Sequence, residues 1–340
     1  MPNSRLETRQ RARGDSVTGV GEQTSVSFII PVKNDAVRLR RCLASIADNT
    51  YPATLIEMVV VDNGSTDSSP DTARNFGANV VSMPKGSVAA LRNRGVSESR
   101  GAVVAFVDAD HEIDRHWAAA AVDVLSQPDV AATGAPCATQ PKPTWVQQQY
   151  DAMRTPLLAA TDVEWLGSGN LAITREAFDR IGGFDENLTA CEDVDLCNRL
   201  RLSGKRIIAD PRLRNVHFGD PPTLRALFLG ELWRGRDNVR VTFRGPWTFR
   251  HLRSAVAPIG SLAAMTMALA ALVAGRTEWF LGLVLAAFIP ALINTLRICR
   301  RRQTFGAIAA AQALAVAVVF DQARALSLVF RGSHKARRVT

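Results

Sequence analysis

The sequence has few cysteines, and their pattern suggests no structural role. Five cysteines occur in 340 residues, and no spacing among them suits a zinc site. This usage indicates reduced thiols in a cytosolic compartment and argues against a disulfide-linked secreted protein. Residues 1–24 are polar and rich in arginine, and they lack the apolar core of a signal peptide. We therefore expect a disordered tail there, with the folded part on the cytoplasmic side.

Motifs for nucleic-acid binding are also lacking, although the formal charge is +9. Much of this charge lies beside apolar runs, at Arg250 and Arg253 before them and at Arg297 and residues 300–302 among them. Arginines in such places are typical of juxtamembrane segments. The charge therefore predicts a lipid bilayer as partner and no nucleic acid.

Long uncharged runs occur only in the last 90 residues or so. A helix over 254–275 would be about 33 Å long, enough for a hydrocarbon core of about 30 Å. A second run, 279–296, completes a hairpin, whose arginine-rich ends both belong in the cytoplasm. A third run, 304–320, is about one turn shorter and either crosses the membrane or lies in its interface. We predict a multi-pass inner-membrane protein with an amphipathic surface segment at 222–253, membrane helices within 254–331 and a basic tail at 332–340.

Residues 25–221 alternate β-rich runs with helical patterns. Such alternation predicts an α/β domain, Rossmann-like, with a mostly parallel sheet and helices on both faces. The stretch 131–170 has no clear pattern, and 171–182 and 192–203 have the spacing of short helices. The predicted strands are 26–32, 56–61, 79–82 and 102–107, and the predicted helices are 36–48, 67–76, 86–99 and 114–127.

Polar residues follow each of these strands. Because the carboxyl ends of parallel strands share one edge, ligands bind there, and Asn34, Asp62 and Asn63 fall at that edge. Asp108 and Asp110 follow the fourth strand, two residues apart, and their carboxylates can bind one hard divalent cation such as Mg²⁺ or Mn²⁺. An ordinary Asp-rich turn is the alternative for this pair alone.

The ordered series of motifs over about residues 24–220 resembles the family 2 glycosyltransferases of the GT-A fold. The segments that carry the resemblance are Ile29–Asn34, Val59–Asp67, Ala90–Gly95, Asp108–Asp110, Gly167–Asn170, Gly182–Asp185 and Cys191–Leu196.

The resemblance implies roles for individual residues. On the donor side, Pro31, Val32 and Asn34 would line the nucleotide pocket, Asp62 and Asn63 would contact base and ribose, and Arg92 would lie near the diphosphate. Asp108, Ala109 and Asp110 would contact the sugar nucleotide, and Asp108, Asp110 and His217 would bind the metal. Glu192 and Asp193 match the catalytic acidic pair, with Asp193 as the base, and Trp165, Gly169 and Asn170 would lie on the acceptor side.

The predicted reaction is a metal-dependent, inverting transfer of a sugar from a UDP- or GDP-sugar to a lipid-linked or membrane-presented acceptor. Inversion is expected because no second nucleophilic carboxylate motif is evident. A single transfer is favoured over polymerisation because the sequence lacks Gln-x-x-Arg-Trp after residue 200. Two alternatives remain, a nucleotidyltransferase of similar fold and an inactive membrane scaffold. The first would normally carry a Gly-rich segment near the first strand, and the second would have lost its acidic motifs.

Overall fold

The computed structural model describes residues 24–154, 157–246 and 248–330. Its centre is an eight-stranded sheet with the order β3-β2-β1-β4-β9-β6-β10-β8. The first four of these strands are parallel, whereas β9 lies antiparallel between β4 and β6. The strands are β1 Val26–Val32, β2 Ile56–Asp62, β3 Asn79–Ser82, β4 Val103–Val107, β6 Val130–Gly134, β8 Thr161–Asp162, β9 Asn170–Thr174 and β10 Arg206–Ala209.

A second, three-stranded sheet lies beside the end of β4. Its strands are β5 His111–Ile113, β7 Ala138–Thr139 and β11 Asn215–His217, in the order β5-β11-β7. β11 pairs antiparallel with β5 and parallel with β7.

Two apolar cores cover the two faces of the large sheet. Successive residues of a strand point to opposite faces, so Phe28 packs with Leu39 and Trp117 in one core. Ile29 packs with Phe106 in the other. The helices of this domain are α1 Ala36–Ala47, α2 Ser69–Asn75, α3 Val88–Ser97, α4 Trp117–Leu125, α5 Trp145–Asp151, α6 Arg175–Arg180 and α7 Glu192–Leu202, with short 3₁₀ turns at Ala53–Leu55 and Pro211–Leu213.

Two local predictions were wrong. Residues 131–170 are not irregular throughout, because they contain β6, β7, α5 and β8. Residues 171–182 are not one helix. They continue β9, which inserts antiparallel into the sheet, and α6 begins after Thr174, whose hydroxyl accepts a hydrogen bond from the Ala177 backbone. Packing in the sheet prevails here over the helical spacing of the side chains.

Within the described residues, six helices follow the α/β domain. Three candidate spans, at Val256–Val273, Thr277–Arg302 and Ala307–Leu326, are long and apolar enough to cross a membrane. The third extends beyond the predicted run, because its helix continues through Asp321 and Arg324. The helices are α8 Leu224–Arg234, α9 Asn238–Arg244, α10 Phe249–Val273, α11 Thr277–Ala287, α12 Ile289–Arg302 and α13 Ala307–Leu326.

The helix α8 packs against protein rather than presenting its whole apolar side to a membrane surface. Leu227 of α8 is buried in one cluster with Val146 of α5 and Val316 of α13. The helices α5 and α8 therefore cover one side of α13.

Candidate active site

Hydrogen bonds connect the loops after β1 and β2 at the carboxyl edge of the sheet. Asn34 has a positive φ of 53°, and its side-chain oxygen accepts a hydrogen bond from the Thr66 backbone at 2.6 Å. Asp62 is buried and accepts from the Ser65 backbone at 3.1 Å. The structure therefore gives Asn34 a loop-ordering contact in addition to any contact with a nucleotide.

Asn63 begins the loop after β2. Its backbone N–H donates to the Val32 carbonyl at 2.9 Å, which fixes the end of β1 beside it. Its side-chain amide, oriented to satisfy its hydrogen bonds, donates to the carbonyls of Met83 and Pro84. Pro31, next to Val32, is half-buried. These residues form one continuous wall at the sheet edge.

Arg92 of α3 joins two of the predicted acidic residues. Its guanidinium donates to Asp108 at 2.7 Å and to Glu192 at 2.8 Å. The side chain is only 3 % exposed and lies over the Phe184 ring. Sequence reasoning placed Arg92 at the diphosphate, but both of its terminal nitrogens are engaged by carboxylates. Its role in this structure is to hold Asp108 and Glu192, and this charge lowers the pKa of Asp108 although burial opposes the shift.

Glu192 and Asp193 form the first turn of α7. The helix begins after Cys191, whose backbone is left-handed with φ 61°. Burial, reinforced by the neighbouring Glu192 charge, raises the pKa of Asp193 to about 7. A carboxyl with such a pKa is matched to proton transfer at neutral pH.

Two histidines meet because their strands pair. His217 of β11 lies directly opposite His111 of β5 in the antiparallel register, and the ring centroids are 4.5 Å apart. His217 Nε2 lies 3.4 Å from Asp110 Oδ2, and His111 Nε2 lies 3.8 Å from Asp110 Oδ1. One ligand atom from each of these three residues lies within 4.8 Å of the others.

His217 is oriented by a fourth residue. Its Nδ1 lies 2.9 Å from Asp220 Oδ1, and the Asp220 side chain is fully buried and paired with Arg154. Burial acts to lower the pKa of His217, but the Asp110 and Asp220 carboxylates raise it to about 9. With Nδ1 bound to Asp220, Nε2 is the nitrogen that faces Asp110.

The residues present fit a divalent cation. One carboxylate and two imidazoles converge, and a carboxylate behind a histidine is the usual support of a metal ligand. A side chain on Gly219 would overlap the Asp110 carboxylate, and one on Gly169 would press on His111 and Asp108. Both glycines thus keep the space around this cluster open.

The cluster of Asp110, His111 and His217 differs by one residue from the predicted metal ligands. Asp108 stands apart from it because its carboxylate is engaged by Arg92. His111 takes its place, and sequence reasoning missed it. Its position directly after Asp110 was the available signal, but only the strand register brings it to His217.

Two of the residues predicted on the acceptor side, Trp165 and Asn170, differ in solvent exposure. Trp165 is 48 % exposed, so its ring is accessible. Asn170 is buried: it accepts from Trp117 at 2.7 Å and donates to the carbonyls of Ala135 and Leu213. The Asn170 amide thus joins strands and loops in the core, and the predicted acceptor contact of this residue stays a prediction.

Known proteins are similar to this chain in sequence and in architecture. Residues 27–182 match the sequence model of the family described as Glycosyl transferase family 2. The chain is 30% identical over 189 residues to Glycosyltransferase AglE of Haloferax volcanii, covering 53% of this chain and 62% of that protein. It is 29% identical over 200 residues to the Pre-mycofactocin glycosyltransferase of Mycobacterium tuberculosis, covering 55% of this chain and 41% of that protein. The chain therefore spans less than two thirds of these relatives.

Solved structures carry the same fold. The mannosyltransferase PcManGT of Pyrobaculum calidifontis, in complex with GDP-Man and Mn²⁺, superposes with a TM-score of 0.55 at 20% identity over 87% of both chains. GalNAc-T7 with UDP, GalNAc and Mn²⁺ gives 0.50 at 19% identity, over 69% of this chain and 50% of that one. The fold expected from the sequence is confirmed. The chain is thus similar to glycosyltransferase family 2 over residues 27–182, and it has a GT-A fold followed by long apolar helices.

Proposed function

We propose that this protein transfers a sugar from a UDP- or GDP-sugar to a lipid-linked or membrane-presented acceptor, with inversion at the anomeric carbon. The observation that carries the proposal is the arrangement at one sheet edge. At that edge Asp110, His111 and His217 form the candidate metal cluster. Asp193 lies next to Glu192, which pairs with Arg92. Relatives in complex with GDP-Man or with UDP and GalNAc support the donor class.

The residues divide the work. Asp110 and His217, with His111, would hold Mg²⁺ or Mn²⁺, which neutralises the charge of a diphosphate leaving group when bound. Asp62, Asn63 and the end of β1 would bind the nucleoside.

The proton of the acceptor hydroxyl is assigned to Asp193. Its raised pKa, about 7, keeps the carboxylate basic enough to accept that proton at neutral pH. Arg92 pairs with Glu192 next to it, and Asp193 is the residue that takes up the proton. A single displacement by this route inverts the anomeric centre.

The membrane setting is proposed from the C-terminal helices. The arginine-rich end of α12 contacts the α/β domain through Arg301, so both lie on the same side of a membrane that α10 to α12 cross. The positive-inside rule makes that side the cytoplasm. An acceptor presented at the inner membrane surface would then be within reach of the site.

A donor screen tests the proposal. The full chain in membranes would be given a panel of nucleotide sugars and lipid acceptors with Mg²⁺ or Mn²⁺. We expect transfer from a UDP- or GDP-sugar that stops with chelator and returns with added metal. Turnover of none of the donors, under all acceptors, would refute it, and release of pyrophosphate from a nucleoside triphosphate would favour the nucleotidyltransferase.

A further inference from the structure

The buried Asp220 carboxylate is the support of His217, and it is itself held by Arg154. Asp220 Oδ1 lies 2.9 Å from His217 Nδ1, on the far side of the ring from Asp110. Arg154 Nη2 donates to the same Asp220 oxygen. A carboxylate on one imidazole nitrogen sets the ring orientation and the basicity of the other nitrogen. The position of Arg154 therefore fixes where His217 Nε2 points.

The backbone at Arg154 is held by a membrane helix. Arg154 lies just after α5, and Nη1 of Arg301, near the end of α12, donates to three carbonyls there. The distances are 3.1 Å to Ala152, 2.9 Å to Met153 and 2.5 Å to Arg154. A cation at these carbonyls stabilises the end of α5 through both hydrogen bonds and the helix dipole. These hydrogen bonds thus join the segment that contains Arg154 to α12.

The side chain of Arg154 is held by a second route. Its guanidinium lies 5.2 Å from the centroid of the Tyr150 ring. The Tyr150 hydroxyl donates to Glu231 at 2.9 Å, and the fully buried Glu231 accepts from Arg324 of α13 at 2.7 Å. A buried carboxylate needs such partners, because without them its charge would be uncompensated. α13 thereby fixes the ring on which Arg154 stacks.

We propose that Arg154 is a positioning residue for the metal ligand His217, and that α12 and α13 complete the metal site through Arg301 and Arg324. The inference rests on the proposed metal site at Asp110 and His217 and extends it. The C-terminal helices would then do more than anchor the domain: they would set the affinity of its metal site.

The test is Mn²⁺ binding to the purified full chain, measured without any donor by electron paramagnetic resonance of the free ion. Loss of an outer-shell partner typically costs about 10–100-fold in metal affinity, and we expect a loss in that range for Arg154→Gln. Arg301→Gln should weaken binding in the same direction, because the end of α5 loses its cation. Arg300→Gln is the matched control, since Arg300 is exposed at the same helix end and its side chain has no polar contact among the described residues.

Two further measurements exclude a general loss of structure. Thermal unfolding in the absence of metal should be close to wild type for Arg301→Gln, whose side chain is exposed. Arg154→Lys should recover part of the affinity, because an ammonium still pairs with Asp220 but lacks the guanidinium fork.

Wild-type Mn²⁺ affinity in Arg154→Gln or Arg301→Gln would overturn the proposal, as would an equal loss in Arg300→Gln. These results are independent of turnover. If the Mn²⁺ affinities change as expected although the protein transfers sugar from none of the donors in the screen, the transferase activity is refuted and the positioning role of Arg154 stands.

Discussion

At the scale of single residues, Asp193 makes the clearest prediction. Its pKa is raised to about 7, so the carboxyl is protonated below that pH and cannot accept a proton there. We expect kcat/KM to rise as pH increases through about 7 and then to level. Asp193→Asn should lower kcat by about 10²–10⁴-fold, with donor binding largely retained.

The measurement is a pH profile of initial rates for wild type and variant, with donor affinity measured separately. Asp179→Asn, on α6, is a matched control with the same chemical change, and no pH effect is expected from it. Unchanged turnover in Asp193→Asn would remove the base assignment.

Gly219 makes a second residue-scale prediction. A methyl group there would overlap the Asp110 carboxylate and crowd His217 Nε2. We expect Gly219→Ala to weaken Mn²⁺ binding by about tenfold or more, since the ligands must move apart. Gly306→Ala is the control, because its added methyl group would meet no atom within 4 Å. Equal metal affinity in both variants, measured by titration calorimetry, would contradict this account of the site.

At the scale of elements, α13 decides between the two alternatives for the third apolar run. One side of it packs along α5 and α8, and its Arg324 pairs with Glu231. A helix that is covered on one side by other helices of the protein and carries a paired charge is better placed in the interface than across lipid. We therefore expect α13 not to cross the membrane.

Reporters fused after Thr340 and inserted in the turn at Gly275 between α10 and α11 would test this in intact cells. The Thr340 reporter should lie on the same side as the α/β domain, and the Gly275 reporter on the opposite side. Two reporters on the same side would mean that α13 crosses.

Some of the strands and helices could be predicted from the sequence, and others could not. β1, β2 and β4 were predictable because each is an apolar run that ends at polar residues. α1 was predictable because its buried apolar residues recur at helical spacing. α5 carried an unused signal, since Thr144 and Gln147 form a capping box. The pairing of His111 with His217 was beyond sequence reasoning, because register between three-residue strands distant in the chain depends on the tertiary fold.

The two ion pairs of Arg92 could not be predicted from the sequence for a related reason. Resemblance assigns a residue to a site, but it does not say which neighbours occupy its hydrogen-bond donors. Asp108 and Glu192 come from other segments of the chain and neutralise the guanidinium only once α3, β4 and α7 are assembled.

At the scale of the whole molecule, the structure predicts firm membrane attachment. The candidate spans Val256–Val273 and Thr277–Arg302 expose most of their apolar surface. Transfer of that surface into lipid is strongly favourable. We expect washing of membranes with alkaline carbonate or with high salt to leave the full chain in the pellet, as measured by immunoblotting. Release by salt alone would indicate attachment through the arginines rather than through the helices.

The packing of α13 on α5 and α8 has a consequence for biosynthesis. Domains generally fold as they leave the ribosome, from the N-terminus onward. Here the apolar sides of α5 and α8 stay uncovered until α13 has been translated, and Glu231 lacks its Arg324 partner until then. The nascent chain should therefore bind chaperones through α5 and α8, and its α/β domain should reach protease resistance only after α13 emerges.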